Sequence, residues 1–263
     1  MKKLLTTLLA IMMAVTMMNF VACDNSDAIF KGKYEAASEE TRTEILSNAG
    51  DSSDDEAKAK GFLMKLKYEI KEKDEKDSGK MEYTVKTVVN DNKPQMSMEL
   101  EMKSVLANLD GKAYYYNDAL FLDYSSKVGS GENAIETQIK TKKSVEFDIG
   151  DLIDELGMME MDLDLGDVNA DIQGDNYYFG VCTTDEYYKV KITNKYESDT
   201  SKTESETYFV FDRTSYVLIA VKMETKMTSN DGSASISYKL VPYSGKVETP
   251  KNANSDEWKT SIF

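Results

Sequence analysis

The chain has 263 residues, 41% of them apolar, a formal charge of −15 and no histidine. So acidic a chain is a poor partner for nucleic acid or an anionic membrane surface. The missing imidazole excludes Ser-His-Asp and Cys-His catalysis and histidine-containing zinc sites. Carboxylates, lysine and tyrosine are left for acid–base work, and no pattern in the sequence asks for it. A non-enzymatic protein without a cofactor is therefore expected.

The first residues read MKKLLTTLLAIMMAVTMMNFVACDN. Lys2 and Lys3 form a basic start. Leu4–Met18 form an apolar stretch too short to cross a bilayer comfortably, and small residues follow it. This is the pattern of a signal peptide over residues 1–22. Phe20, Val21, Ala22 and Cys23 resemble the lipobox of bacterial lipoproteins, with Phe20 where leucine is usual. In that family the cysteine is diacylated on sulfur and becomes the new N-terminus. The resemblance implies a protein anchored to the extracytoplasmic face of the cell membrane, since the two acyl chains of one diacylglyceryl group suffice for stable attachment. Residues 23–33 would then be the lipidated cysteine and a polar tether. Processing would leave 241 residues at a charge of −17 and Cys182 as the only other cysteine, so no intramolecular disulfide could form.

Residues 34–50 read as a helix, with Ala36, Ala37, Ile45 and Leu46 as its apolar stripe and Gly50 as its stop. A charged loop follows, and then the period changes to two. Phe62, Met64, Leu66, Tyr68 and Ile70 alternate with polar residues. Met81, Tyr83, Val85 and Val89 repeat the pattern, as do Met96, Met98, Leu100 and Met102. Three such runs parted by turn residues predict an antiparallel meander with one buried face. Strands ending near Tyr116 and Tyr124 flank a tight turn at Asn117-Asp118. Residues 125–140 read as a Gly- and Ser-rich loop. Ile149, Leu152, Ile153 and Leu156 have helical spacing, and Gly157 follows as a stop.

The second half repeats the style. Residues 175–194 read as one hairpin, and residues 207–227 as another that turns at Asp212-Arg213. In its second arm Val217, Ile219, Val221, Met223 and Met227 are expected to share a face. Asn230-Asp231-Gly232 is a strong hairpin signal leading to a strand through Leu240. Residues 251–263 read as a polar tail carrying the only tryptophan, Trp258. The expected fold is mainly β: one curved antiparallel sheet or incomplete barrel of about ten strands, covered by two or three short helices.

Asp167, Asn169, Asp171, Gln173 and Asp175 alternate like the ligands of a calcium loop. The glycine needed at the sharp turn is Ile172, and the bidentate carboxylate position is Tyr178. A solvated acidic loop is the better account, and no metal is expected. Cys182 reads as a small apolar residue. In the tyrosine clusters adjacent rings should point to opposite faces, so none is a flat carbohydrate platform.

The residues left for function are those on the predicted inner faces: Met64, Leu66, Met81, Tyr83, Met96, Met98, Leu100, Met102, Val217, Ile219, Val221 and Met223. Methionine is flexible and polarisable and suits surfaces that fit variable apolar partners. Ordinary core packing explains the same residues equally well.

The order of parts resembles the lipoproteins built like LolA, LolB and the LppX/LprG group. DGKAYYYNDALFLDY is similar to their display hairpin, SVEFDIGDLIDELG to their mid-chain helix, TYFVFDRTSYVLIAVKMET to their strand–Asp–x–x–Thr–strand hairpin, and SASISYKLVPYSGKVETP to their closing strand. The resemblance spans most of residues 34–250 and implies a helix-covered incomplete barrel, often with an apolar cavity that takes a lipid. No site residue carries over by position. Two readings stay open: an anchored lipoprotein that binds a lipid or other apolar ligand, and a structural or partner-binding lipoprotein with a fully packed core. The partner in the second reading is not specified by the sequence.

Overall fold

The computed structural model describes residues 27–48, 61–73, 78–90, 93–104, 107–129, 134–144 and 177–260. The leader, Cys23, the calcium-like segment Asp167–Asp175 and the expected helix near residues 149–157 lie outside the described residues.

Two antiparallel meanders build the fold. The first is β2 (Phe62–Glu72), β3 (Gly79–Asn90), β4 (Lys93–Ser104), β5 (Ala107–Tyr115), β6 (Ala119–Val128) and β7 (Ile135–Ser144). The second is β8 (Tyr177–Thr183), β9 (Tyr187–Glu197), β10 (Ser201–Asp212), β11 (Leu218–Ser229) and β12 (Gly232–Pro242). Antiparallel pairing of β12 with β2 fuses them into one sheet. Two-residue strands finish its edges. β1 (Glu35–Ala36) lies antiparallel on β8, and β13 (Lys259–Thr260) lies parallel on β7. The thirteen strands run β1-β8-β9-β10-β11-β12-β2-β3-β4-β5-β6-β7-β13, and the sheet is open because its edge strands do not meet.

The count exceeds the expected ten because β7 and the two-residue edge strands β1 and β13 join the sheet, and β10 is longer than expected; β7 and the first half of β10 carry no apolar alternation. Residues 125–128 belong to β6 and residues 135–140 to β7, where the sequence predicts a loop. Val128 ends β6 and Ile135 opens β7, whose sequence IETQIKTKKS has mostly exposed or half-exposed side chains. The first half of β10, SKTESE, is polar in the same way. Backbone pairing between neighbours holds both, without a hydrophobic face of their own.

Turn chemistry agrees closely with the sequence. Asn117 and Asp118 have φ of 50° and 56°, the left-handed pair of a type I′ turn, and Tyr116 and Ala119 exchange backbone hydrogen bonds across it. After β10 the Asp212 carboxylate accepts from the Thr214 N–H, the Ser215 N–H and the Ser215 hydroxyl, and closes the turn locally. Gly61 has φ of 101°, and a Cβ there would lie 2.4 Å from the Thr87 carbonyl oxygen, so the entry to β2 requires glycine.

The single α-helix among the described residues, α1 (Glu39–Asn48), is shorter than the sequence suggested. Ala36 belongs to β1, and the Ala37 N–H bonds to the Phe179 carbonyl, which ties this stretch to the edge of β8. Ser38 caps the helix through its hydroxyl, which accepts from the Thr41 N–H at 3.1 Å. Ile45 is fully buried on the sheet.

Both ends of the described chain cross the sheet's polar face. At the start, Asp27 meets Lys239 at 3.0 Å, Phe30 is buried beside Leu63, Val210, Ala220 and Val241, and the buried Lys189 donates to the Lys31 carbonyl at 2.9 Å. Residues 27–33 are thus a bound strap, although the sequence reads them as tether. At the far end, Trp258 is buried edge-on against Phe121, with ring centroids 5.1 Å apart. Trp258 docks the C-terminal segment, while Lys251, Asn252, Asn254, Asp256 and Glu257 around it stay exposed.

Candidate functional site

The apolar face of the sheet can be read as successive cross-strand rungs, because the register is continuous across the join. One rung runs from Val181 on β8 through Val190, Phe209, Val221, Leu240, Met64, Val85 and Met98 to Ala113 and Leu122 on β6. Two residues along, the next holds Phe179, Ile192, Thr207, Met223, Tyr238, Leu66, Tyr83 and Leu100. Beyond it lies a rung with Tyr177, Asn194, Ser205, Thr225, Ile236, Tyr68, Met81 and Met102. On the other side of the first rung lie Tyr188, Phe211 and Leu218 in one meander, and Phe62, Met96, Tyr115 and Leu120 in the other.

Burial changes along the strands. Val85, Val190, Val221, Met96, Phe211 and Tyr115 are all 3% exposed or less, so the rungs nearest that end are core. Leu66, Tyr83, Leu100, Met223, Tyr68, Met81 and Met102 are only half-buried. The sequence-derived candidates therefore divide. Met64, Met96 and Val221 are core, and Met98 lies half-buried in the same rung as Met64 and Val221. Leu66, Met81, Tyr83, Leu100, Met102 and Met223 lie where the face opens.

Val217 and Ile219 do not follow the expected alternation. A register shift between Val210 and Phe211 pairs Ala220 with Val210 but Leu218 with Phe211. This bulge hands the apolar position to Leu218, leaves Val217 before the strand, and sets Ile219 between the clusters on the two faces. One extra residue cancels a period of two.

The tyrosine clusters alternate as strand geometry requires. Tyr115 is in the main core, whereas Tyr114 and Tyr116 pack with Phe121 and Trp258 on the opposite face. Tyr177 and Tyr188 point to the apolar face, while Tyr187 and the Tyr178 hydroxyl, bonded to the Tyr34 carbonyl, lie on the other. Cys182 is half-buried against Gly32, where a Cβ would come within 2.5 Å of its sulfur.

Three polar groups on the apolar side escaped sequence reading. Tyr238 is 8% exposed, and its hydroxyl is buried without a hydrogen-bond partner among the described residues. The Tyr177 hydroxyl and the Arg42 Nε are in the same condition. Burial pushes the phenols of Tyr83 and Tyr177 up to about 12 and raises that of Tyr238 as well; the Arg42 guanidinium opposes the rise at Tyr177. One sequence signal was available: Arg42 precedes Ile45 by three residues, so a cation shares the helix face that meets the sheet.

The polar face carries an open depression of about 480 Å³ over β3–β7, lined by Glu82, Glu99, Glu101, Asp110, Lys112 and Asp123. Its charges are largely matched. Lys112 meets Glu99 at 2.6 Å, and Lys80 and Lys103 converge on Glu101 and hold its carboxyl below the usual range. Every described carboxylate with a resolved shift moves down, which favours the charged form. No cluster of three metal-ligating side chains occurs among the described residues.

No protein-family model matches the chain, and no curated protein matches it. A solved structure of a DUF1329 family protein from Desulfovibrio piger is a weak structural neighbour. It is 11% identical and covers 79% of this chain and 94% of that one, with a TM-score of 0.21. A likeness of that size carries no argument about fold or function.

Proposed function

We propose that the protein is a membrane-anchored cell-envelope lipoprotein of LolA-like half-barrel design, not an enzyme, which binds a lipid or other apolar ligand on the open end of its apolar sheet face. The observation that carries this reading is the gradient of burial on that face. In the two outer rungs only Phe179, Tyr238 and Ile236 are buried, and Leu66, Met81, Leu100, Met102 and Met223 remain half-buried beside a rung sealed along its middle from Val190 to Val85. Open sheets of this many strands twist and tend to curl, which favours a concavity over the larger of the buried clusters. The apolar end of the sequence before Cys23 supports the anchor and the extracytoplasmic location.

A second reading, a partner-binding lipoprotein with a packed core, is favoured by the sealed rungs alone. Native mass spectrometry of the chain from Cys23 onward, purified without detergent and paired with lipid extraction, separates the two. Every described element lies downstream of Cys23. Bound mass in the range of a fatty acid or phospholipid, lost in the variant Leu100→Asp/Met223→Asp while circular dichroism is unchanged, supports the ligand reading. A clean apo mass that takes up no added lipid supports the packed core.

A further inference from the structure

At one corner of the open end, three observations converge on a polar group that the apolar face alone does not explain. The first is Arg42. It shares with Ile45 the face of α1 that packs on the sheet, its Nε is buried with no hydrogen-bond partner, and no salt bridge engages it among the described residues. The second is Tyr177, the first residue of β8, which packs against the same core cluster as Ile45 and lies two residues from Phe179, whose carbonyl accepts from the Ala37 N–H at the entry to α1; its buried hydroxyl has no partner among the described residues. The third is the contrast in charge pairing between the two faces. No carboxylate answers Arg42 among the described residues, whereas on the opposite face Lys67, Lys112 and Lys191 each meet a glutamate.

A buried donor without an acceptor costs free energy and survives where something supplies the acceptor. Both groups are donors: the guanidinium has no lone pair to offer, and a phenol beside a cation donates outward. They call for an acceptor bearing negative charge. One guanidinium matches one unit of charge, and its planar fork fits two carboxylate oxygens. A phosphate monoester, nearer two charges, would be left partly uncompensated in a chain of −15. The place also fits. Tyr177 lies in the outermost of the three continuous rungs, where the face opens. Tyr238, whose hydroxyl is a third orphan donor, lies four strands away on β12, a span of about 19 Å across a sheet with strands roughly 4.8 Å apart.

We propose that Arg42 and Tyr177 form the head-group site of the apolar face and take the carboxylate of a single-chain fatty acid, with its hydrocarbon tail running across the half-buried Leu, Met and Tyr side chains. This rests on the ligand-binding reading given above and narrows it to one ligand class.

The test uses the chain from Cys23 onward, unacylated, with the fluorescent fatty acid cis-parinaric acid and its neutral methyl ester as probes. The acid should bind at least tenfold more tightly than the ester. Arg42→Gln should weaken the acid about tenfold and leave the ester within twofold. Tyr177→Phe should weaken the acid by a smaller factor. Arg42→Lys, which keeps the charge and loses the fork, should fall between wild type and Arg42→Gln and guards against a folding defect. Equal binding of acid and ester, unmoved by Arg42→Gln, overturns the head-group site and leaves the apolar ligand reading standing. Equal weakening of both probes by Arg42→Gln makes Arg42 structural and overturns the site too. Binding of neither probe overturns both.

Discussion

The carboxylate of Asp27 lies 3.0 Å from the Nζ of Lys239, and Lys239 stands in a rung between Lys222 and Lys65. Three adjacent lysines repel one another, and Asp27 answers that repulsion from the strap at the start of the described chain. Only Asp24, Asn25 and Ser26 separate it from Cys23. Anchoring at Cys23 would therefore hold the polar face within about 14 Å of the membrane, four residues at roughly 3.5 Å each.

The first prediction concerns this contact. Its hydrogen bond to Lys239 is the leading cause that holds the Asp27 carboxyl below its ordinary value, so the bond contributes stability above the unfolded pKa and loses it as pH falls through the lowered folded value. Asp27 is mostly exposed, so the contribution should be no more than about 1 kcal/mol. Urea titrations of Asp27→Asn and wild type should differ at neutral pH and converge in acid. A difference that persists unchanged below the folded pKa would assign the effect to packing and not to charge.

Tyr238 pairs across the sheet with Met223 and Leu66, where its hydroxyl has no partner among the described residues. An unsatisfied buried hydroxyl costs on the order of 1–3 kcal/mol, and phenylalanine keeps the ring. Tyr238→Phe should raise unfolding free energy by about 1 kcal/mol in ligand-free protein. A loss of stability would mean that the hydroxyl is satisfied in solution.

Alkali should unfold the protein through its buried phenols. Tyr83 and Tyr177 are pushed up to about 12, from 10.0 in the unfolded chain. Above pH 10 the unfolded state has released protons that the native state keeps, so stability falls as pH rises from 10 toward 12. After a jump into that window, phenolate absorbance should appear in two phases. Rings open to solvent ionise at once, and Tyr83 and Tyr177 ionise at the rate of unfolding measured by circular dichroism. A single fast phase would place all the rings in contact with solvent.

Strands β2, β3 and β4 were legible because Met64, Met81, Met96 and their neighbours repeat a strict period of two. Strand β7 was not legible: its lysines, threonines and glutamine mark no buried face, and the Gly- and Ser-rich stretch before it reads as loop. Val217 and Ile219 were misplaced by a bulge, which leaves no local signature when the inserted residue is itself apolar. The head-group candidates were missed for another reason. Arg42 and Tyr177 are 135 positions apart, and each is ordinary alone; only the docking of the α1 entry on β8 brings them to one edge of the sheet, where neither polar group has a partner among the described residues.

Trp258 offers the last prediction. Its ring meets Phe121 edge-on, its Nε1–H donates to the Lys251 carbonyl at 3.2 Å, and the Lys140 Nζ lies 5.7 Å from its centre. The next two residues form the strand that extends the sheet beyond β7. Because β7 has little apolar burial of its own, this docking is what seals that edge. Trp258→Ala should cost about 3 kcal/mol, in the range for a large aromatic removed from a packed site. Trp258→Phe, which keeps an aromatic ring and loses the hydrogen bond, should cost roughly 1 kcal/mol. Since Trp258 is the only tryptophan, wild-type fluorescence reports the docking directly. Emission should be blue-shifted in the native protein and move to the red in the same urea transition that circular dichroism follows. A red shift well before that transition would show that the C-terminal segment undocks on its own, and Trp258→Ala would then leave global stability nearly unchanged.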